Sequence, residues 1–510
     1  MSLIQSVSKD ATINVSYDTV VKKKQALVFV SSKRSAQKVA LDISKVLKEE
    51  HIQKQALKEL SKQVLGVLSS PTDQCKKLAY SVERGVAFHH AGLAGEQKQL
   101  IESAFSKGLL PLIVCTPTLA AGLDLPAFRT ILRDMKRYTG SWGMQYIAVL
   151  EYLQMAGRAG RPGKESFGEA IMIAKNQNDA IKLYETFICG EVEPIYSKLA
   201  VEPVLRTYVL SLLATGLCKT QKQLSDFFSQ TFWAYQYKDM AKLEQIIFRV
   251  IGLLTQYGFL EKKDADFLDA DQLDQQSLQV TPLGRRVSQL YLDPLSAHMI
   301  VEGLQKPLHT FGLIHLFCMT NEMQPRLRVK QSELESVHGV VLERESTLLI
   351  DVPTLYDPQY SDYLEAIKTS CYFEDWISEL SEDQLLKKYD IRPGEIHAKN
   401  EIIDWLLYCA TQLAQVLHQT NCIKQLTMLR TRIKYGAKEE LLPLLQLKSI
   451  GRVRARTLFS NGVCTLADLR EVAIEKLVVM VGKQMAISLK KQVGQEVSDH
   501  TQGTLFSFDT

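Results

Sequence analysis

Ala26-Leu27-Val28-Phe29-Val30 is a continuous apolar run, flanked by the polar stretches Lys22-Lys23-Lys24 and Ser31-Ser32-Lys33-Arg34. A strand without polar alternation is one buried on both faces, as in a parallel sheet covered by helices. The following residues supply a cover, since Ala36, Val39, Ala40, Ile43 and Leu47 recur at helical spacing. Downstream the alternation repeats. Residues 85–90 read as a second strand, 96–105 as a second helix, 112–115 as a third strand, 130–132 as a fourth and 170–173 as the last. Strands alternating with helices predict an α/β domain with a parallel sheet over residues 25–190, preceded by a linker at 1–24.

Outward from that domain the character changes. Residues 195–285 are patterned as helices closed by a short hairpin ending at Leu278-Gln279-Val280-Thr281, which reads as a winged helix. Residues 290–425 read as helices alone, with turn signals at Tyr356-Asp357-Pro358 and Arg392-Pro393-Gly394. Short helices around Ser449-Ile450-Gly451 fill 430–495, and 497–510 reads as a flexible tail. The fold class is therefore multidomain α/β plus α. The 510 residues agree with that count, at about 100–200 residues per domain.

Composition excludes several classes. Hydrophobic residues make up 46% and charged residues 23%, an ordinary globular balance. Lys+Arg 61 against Asp+Glu 57 leaves +4, so any basic surface is local. The nine cysteines are never closer than 13 residues, which excludes C-x-x-C metal or redox sites and fits free thiols in a reducing, cytoplasmic setting. No metal-ligand cluster is expected. The start, MSLIQSVSKD, does not read as a signal peptide, and no apolar run nears the roughly 18 residues of a membrane span, so no membrane partner is expected.

The strongest chemical signal is Gln154-Met155-Ala156-Gly157-Arg158-Ala159-Gly160-Arg161-Pro162. Two arginines three apart, each after a glycine, can bring two planar guanidinium forks to one phosphate. The string resembles motif VI of superfamily 2 helicases. Phe29-Val30-Ser31-Ser32-Lys33-Arg34 resembles motif IV, His89-His90-Ala91-Gly92-Leu93 motif IVa, and the stretch from Cys115-Thr116-Pro117 through Gly122-Leu123-Asp124 to Ala127 motif V. With Ser197-Lys198-Leu199 and Thr231-Phe232-Trp233-Ala234-Tyr235-Gln236, the set is similar to archaeal Hel-type DNA repair helicases of the Ski subgroup, relatives of the polymerase theta helicase, over about residues 20–494.

The resemblance implies a RecA-like lobe whose Arg158 and Arg161 act on the ATP γ-phosphate, with Gln154 beside them. It implies ATP contacts for Gly122 and Asp124, and DNA contacts for Ser31, Lys33, His90 and Thr116. A threonine at a strand end offers a hydroxyl and a backbone N–H to a phosphate, which positions a strand without reading it. Between motifs V and VI, Gly140 and Gly143 bracket a hairpin turn with Tyr138, Trp142 and Met144 on its arms. In the resembled family a hairpin here is the pin that parts a duplex, and aromatics suit stacking on a terminal base pair.

The chain contains no G-x-x-x-x-G-K-[ST] phosphate loop and no D-E-x-H box. The resembled enzymes hydrolyse ATP between two lobes, so the magnesium ligands and the phosphate loop are expected on a first lobe, in a separate chain or in a longer one. The sequence alone is expected to be inactive as an ATPase.

Three further stretches point to partners. Lys368, Tyr372 and Trp376 recur every four residues on one helix face, suiting either a core stripe or the DNA-gripping ratchet helix of the resembled family. Residues 424–456 hold nine Lys or Arg against Glu439 and Glu440. Within them Ile450-Gly451-Arg452-Val453-Arg454-Ala455-Arg456 resembles a helix-hairpin-helix, which offers Arg452, Arg454 and Arg456 to phosphates. In the tail, Gln502, Leu505 and Phe508 have the spacing of peptides that dock on sliding clamps. The expected function is the C-terminal part of an ATP-dependent 3′-to-5′ DNA helicase acting on single-stranded or forked DNA in repair or replication restart. A non-catalytic DNA-binding accessory, or an RNA helicase of the Ski/exosome type, are the alternatives.

Overall fold

A computed structural model describes residues 4–48, 52–68, 70–120, 125–138, 143–161, 163, 165–262 and 277–495. The chain divides into two compact units, Met1–Ile195 with Glu382–Ala398, and Tyr196–Ser381 with Lys399–Thr510.

In the first unit, β1 (Ala26–Phe29), β2 (Val86–His89), β3 (Leu112–Cys115) and β4 (Arg129–Leu132) precede a hairpin of β5 (Lys136–Tyr138) and β6 (Met144–Tyr146), and β7 (Glu169–Met172) follows. The sheet order is β2-β3-β1-β4-β7, with every pair parallel. The first four of these strands in chain order are buried throughout, as the unbroken apolar run of β1 predicts. Each strand of this sheet falls where the hydrophobic pattern places it.

The stretch read as a linker is different. Ala11–Val21 is a helix capped by Asp10, whose carboxylate accepts the Thr12 N–H at 2.8 Å. Ile13, Val15 and Val20 join the same core as β1 and β3. Buried Arg129 fastens the helix from β4, donating to the Val15 carbonyl at 3.2 Å and Thr19 Oγ1 at 2.7 Å and pairing with Asp18 at 3.0 Å. A low-contrast mix of Thr, Ser, Asn and Val hides this apolar face from a periodicity reading.

The second unit opens with helices Glu202–Ala214, Gln221–Ser229, Phe232–Tyr237 and Met240–Gln256, then the antiparallel pair β8 (Leu260–Lys262) and β9 (Leu278–Val280). This is the expected winged-helix layout. Further helices follow, including Tyr360–Ile377, Pro393–Val416 and Thr420–Tyr435. The predicted run of helices is interrupted in space, because Glu382–Ala398 clusters with the first unit. A separate apolar cluster, from Ala437 to Val493, closes the chain's last helices.

Candidate nucleotide and DNA site

Motif VI is built at the edge of the parallel sheet. The helix Val149–Ala156 carries Gln154 exposed and ends at Gly157, whose N–H returns to the Leu153 carbonyl at 2.8 Å. The chain then straightens beside Ala127. Ala127 N–H donates to the Arg158 carbonyl at 2.9 Å, and Gly160 N–H donates to the Ala127 carbonyl at 2.7 Å. Gly160 sits at φ +96°, and a Cβ on its neighbour Gly168 would lie 2.2 Å from the Gly160 nitrogen. Only glycines permit that approach.

This short bridge sets both arginines. Arg158 Nη2 donates to the Ala120 carbonyl at 2.6 Å. Arg161 Nε donates to the Pro126 carbonyl at 3.2 Å, and its Nη2 donates to the Gln25 side-chain oxygen. Each of these acceptors is neutral, so these bonds orient the guanidinium groups. A pair of oriented, half-buried cations on one short segment suits a phosphoryl group with several anionic oxygens. Gly122 and Asp124 lie outside the described residues. Among the described residues no group of three or more His, Cys, Asp or Glu is arranged to hold a metal ion.

The carboxyl ends of the strands form a row in sheet order, His90 after β2, Thr116 after β3, Ser31 after β1 and Asp134 beyond β4. Open α/β sheets bind ligands at this end. Thr116 donates its N–H to the His89 carbonyl at 3.2 Å, and its hydroxyl meets Thr118 Oγ1 at 2.9 Å. Ser31 gives both its N–H and its hydroxyl to Asp134 Oδ2, at 2.9 and 3.1 Å. Lys33 is ion-paired with Glu395.

His90 corrects the motif IVa expectation. Its side chain is fully buried, and burial, followed by the nearby cations Arg392 and Lys33, holds its pKa down to about 3. Nδ1 accepts the Gly92 N–H at 3.1 Å, and Nε2 lies 3.3 Å from Gln37 Nε2. A neutral, enclosed imidazole shapes the turn after β2 and offers nothing to a phosphate.

β5 and β6 pair antiparallel where a hairpin is expected. Tyr138 and Met144 face each other across its last described pair, 66% and 59% exposed. Lower down, Lys136 Nζ sits 4.2 Å from the Tyr146 ring centroid, stiffening the base. Trp142 lies outside the described residues.

The ratchet stripe is core. Lys368 is buried, paired with Glu333 at 2.6 Å and donating to the Arg328 carbonyl at 2.8 Å. Trp376 donates its indole N–H to the Ile433 carbonyl at 2.7 Å and is 7% exposed. Arg452 stacks on that indole at 4.6 Å and donates to the Leu380 carbonyl at 3.2 Å. Arg456 is spent on Glu379, at 2.6 and 2.8 Å, and on Glu440 at 2.7 Å. Of the three hairpin arginines, Arg454 alone is exposed, bonded to the Ser449 carbonyl at 2.9 Å. The basic count in this stretch thus overstates its basic surface.

Three features escaped the sequence reading. Trp405, in the helix Pro393–Val416, is the partly exposed tryptophan among the described residues, with Tyr408 38% exposed three positions on. A second helical hairpin joins Ile474–Val481 to Lys483–Gln492 through Gly482 at φ +85°. Gly482-Lys483 carried a signal, since glycine followed by a cation at a helix start is also a phosphate-facing turn. Gln25 had no signal at all. The tail residues Gln502, Leu505 and Phe508 lie outside the described residues.

Comparison with known proteins accounts for this arrangement. Residues 9–163 match the helicase conserved C-terminal domain, 168–261 a helix-turn-helix domain, and 311–436 domain 4 of archaeal helicases. The chain is 38% identical to the ATP-dependent DNA helicase Hel308 of Methanocella arvoryzae, with 99% of this chain and 69% of that one covered. It is 35% identical to the Hel308 of Methanococcus vannielii, covering 96% and 68%, and 34% identical to that of Pyrococcus horikoshii, covering 94% and 66%. At that identity and over that span, this chain belongs to the Hel308 family of archaeal ATP-dependent DNA helicases.

Proposed function

We propose that this chain supplies the arginine-finger half of an ATP-driven, 3′-to-5′ DNA helicase that works inside the cell on single-stranded or forked DNA during repair or replication restart. The phosphate loop and the magnesium ligands belong to a further RecA-like lobe, in a longer form of the protein or on a separate chain. The observation that carries the reading is the pair of motif VI arginines on one short segment, with Arg161 oriented by the Pro126 carbonyl and the Gln25 side-chain oxygen. With ATP between the lobes, Arg158 and Arg161 donate to the oxygens of the transferred phosphoryl group and stabilise charge as the bond to the leaving oxygen breaks. Gln154, exposed one turn earlier, is open to solvent for a nucleotide contact.

On the DNA side, Thr116 and Ser31 touch the backbone of the tracking strand, and Tyr138 with Met144 meets the terminal base pair at the fork. The stacking role the resemblance gives to Trp376 passes to Trp405, the partly exposed tryptophan among the described residues. Trp405→Ala should weaken single-strand binding by about 1–3 kcal/mol, whereas Trp376→Phe should leave it unchanged; equal losses would return the role to Trp376.

The decisive experiment is hydrolysis. The chain by itself should bind forked DNA without DNA-stimulated ATPase, and adding a Walker-motif lobe should create that activity. Robust turnover by the chain alone would overturn the half-site reading. A sliding clamp is a second partner through Gln502, Leu505 and Phe508. Calorimetry of a peptide covering 498–510 should show binding near −8 kcal/mol, a micromolar Kd, abolished by Leu505→Ala with Phe508→Ala.

A further inference from the structure

Gln25 stands between the lysines and β1, where no motif marks it. It is 7% exposed, so its amide must find partners within the protein. The nitrogen donates to the Phe105 carbonyl at 2.8 Å and the Leu110 carbonyl at 2.5 Å. Carbonyls only accept, so these two contacts fix which end of the amide is nitrogen. The oxygen, at the other end of the amide, accepts from Arg161 Nη2.

Arg161 is therefore gripped twice, at Nε by the Pro126 carbonyl and at Nη2 by Gln25. A planar guanidinium held at two nitrogens has its plane fixed, while Nη1 stays available as a donor. The Phe105 ring, with its centroid 6.0 Å from the guanidinium carbon, borders the same place. The adjoining residue repeats the pattern. Lys24 pairs with Glu165 at 3.3 Å, and Glu165 N–H donates to the Arg161 carbonyl at 3.1 Å. Two consecutive residues before β1 thus hold the turn that carries Arg161.

We infer that Gln25 is a positioning residue for phosphoryl transfer, presetting the plane of the Arg161 guanidinium through a neutral hydrogen bond that leaves its charge intact. The inference rests on the arginine-finger reading of Arg161. Glutamine suits the task better than glutamate. A carboxylate would accept from Arg161 but neutralise it, and would face the carbonyls of Phe105 and Leu110 without a hydrogen to give.

The test is a double-mutant cycle on the full chain assembled with a Walker-motif lobe, using Gln25→Met, Arg161→Ala and both together. Methionine keeps the length and flexibility of glutamine and lacks the oxygen. Gln25→Met should lower kcat on the order of 10–100-fold, with KM for ATP within about twofold. In the Arg161→Ala background the same change should add nothing. An added loss there would make Gln25 a packing residue and overturn the inference. An effective Arg161→Ala with a silent Gln25→Met would overturn this inference alone. A silent Arg161→Ala would overturn the finger reading and this inference with it. A second measurement needs no Gln25 variant: in the unassembled chain, labelled with ¹⁵N-arginine and assigned through Arg161→Lys, the Arg161 Nη signals should be split by hindered rotation. Averaged Nη signals would overturn the grip on Arg161.

Discussion

Gly157-Arg158-Ala159-Gly160-Arg161 and Gly451-Arg452-Val453-Arg454-Ala455-Arg456 both set arginines among small residues after a glycine, yet Arg161 and Arg456 end in opposite electrostatic states. In the first, Arg161 is bonded to a backbone carbonyl and a glutamine oxygen, and Arg158 to a backbone carbonyl. In the second, Arg456 is matched by two carboxylates and Arg452 lies on an indole. Neutral acceptors orient a cation and leave its field directed outward. Carboxylates orient it and end its field within the protein. The number of arginines in a stretch therefore says little about whether it meets phosphate.

The largest effect that would break this contrast lies in catalysis. In the assembled helicase, Arg161→Ala should lower kcat about 10³-fold or more, and Arg456→Ala should leave it within about twofold. Steady-state hydrolysis with saturating DNA measures both, and comparable losses would erase the distinction.

Stability comes next and runs the other way. Arg456→Ala removes the charged partner of Glu379 and should cost about 1–3 kcal/mol on denaturant unfolding. Burial pushes the Glu379 carboxyl up, but hydrogen bonds from Arg456 and the Lys438 N–H outweigh it and hold it below the ordinary 4.5. A carboxyl depressed on folding stabilises above its unfolded pKa and loses that contribution as pH falls through the folded one. Wild type should therefore lose stability as pH drops below 4.5, and the variant should lose less over the same range. Parallel pH profiles would show that the pair is not linked to folding.

Salt dependence sharpens the second stretch. Arg454→Ala should reduce the slope of log affinity against log salt by about one, and Arg452→Ala or Arg456→Ala by close to nothing. Equal reductions for all three would mean that the carboxylates release Arg456 to DNA.

The smallest effect concerns the hairpin between them. Ser449 holds φ +65°, where a side chain costs energy and glycine does not. Ser449→Gly should raise stability by about 0.5–1 kcal/mol, seen as a higher unfolding midpoint.

These contrasts also mark how far the sequence could be read. The parallel sheet was legible because β1 and β3 are unbroken apolar runs, of the kind a sheet buried on both faces requires. Motif VI was legible because Gly157 and Gly160 leave few other reasons for paired arginines. The antiparallel pair β5–β6 was legible from the glycines of the sequence between its arms. Burial was not. His90, Lys368 and Trp376 carry side chains that serve a surface or a core equally, and only packing decides between them. Gln25 was invisible for a further reason: its role lies in partners at residues 105, 110 and 161, distant along the chain and close only after the sheet forms.

Glu382–Ala398, which clusters with the first unit, has a practical consequence for anyone who wants that lobe as a soluble fragment. Gly394 fits so closely that a Cβ would lie 2.3 Å from the Leu93 carbonyl oxygen and 2.4 Å from that of Ala91. Glu395 and Asp390 neutralise Lys33 and Arg34 of motif IV. A stop codon after Ile195 would strip these partners away, uncover two cations and bare the loop after β2. Expression should instead graft residues 382–398 onto the end of 1–195 through a flexible spacer, so that a discontinuous lobe becomes one continuous reading frame.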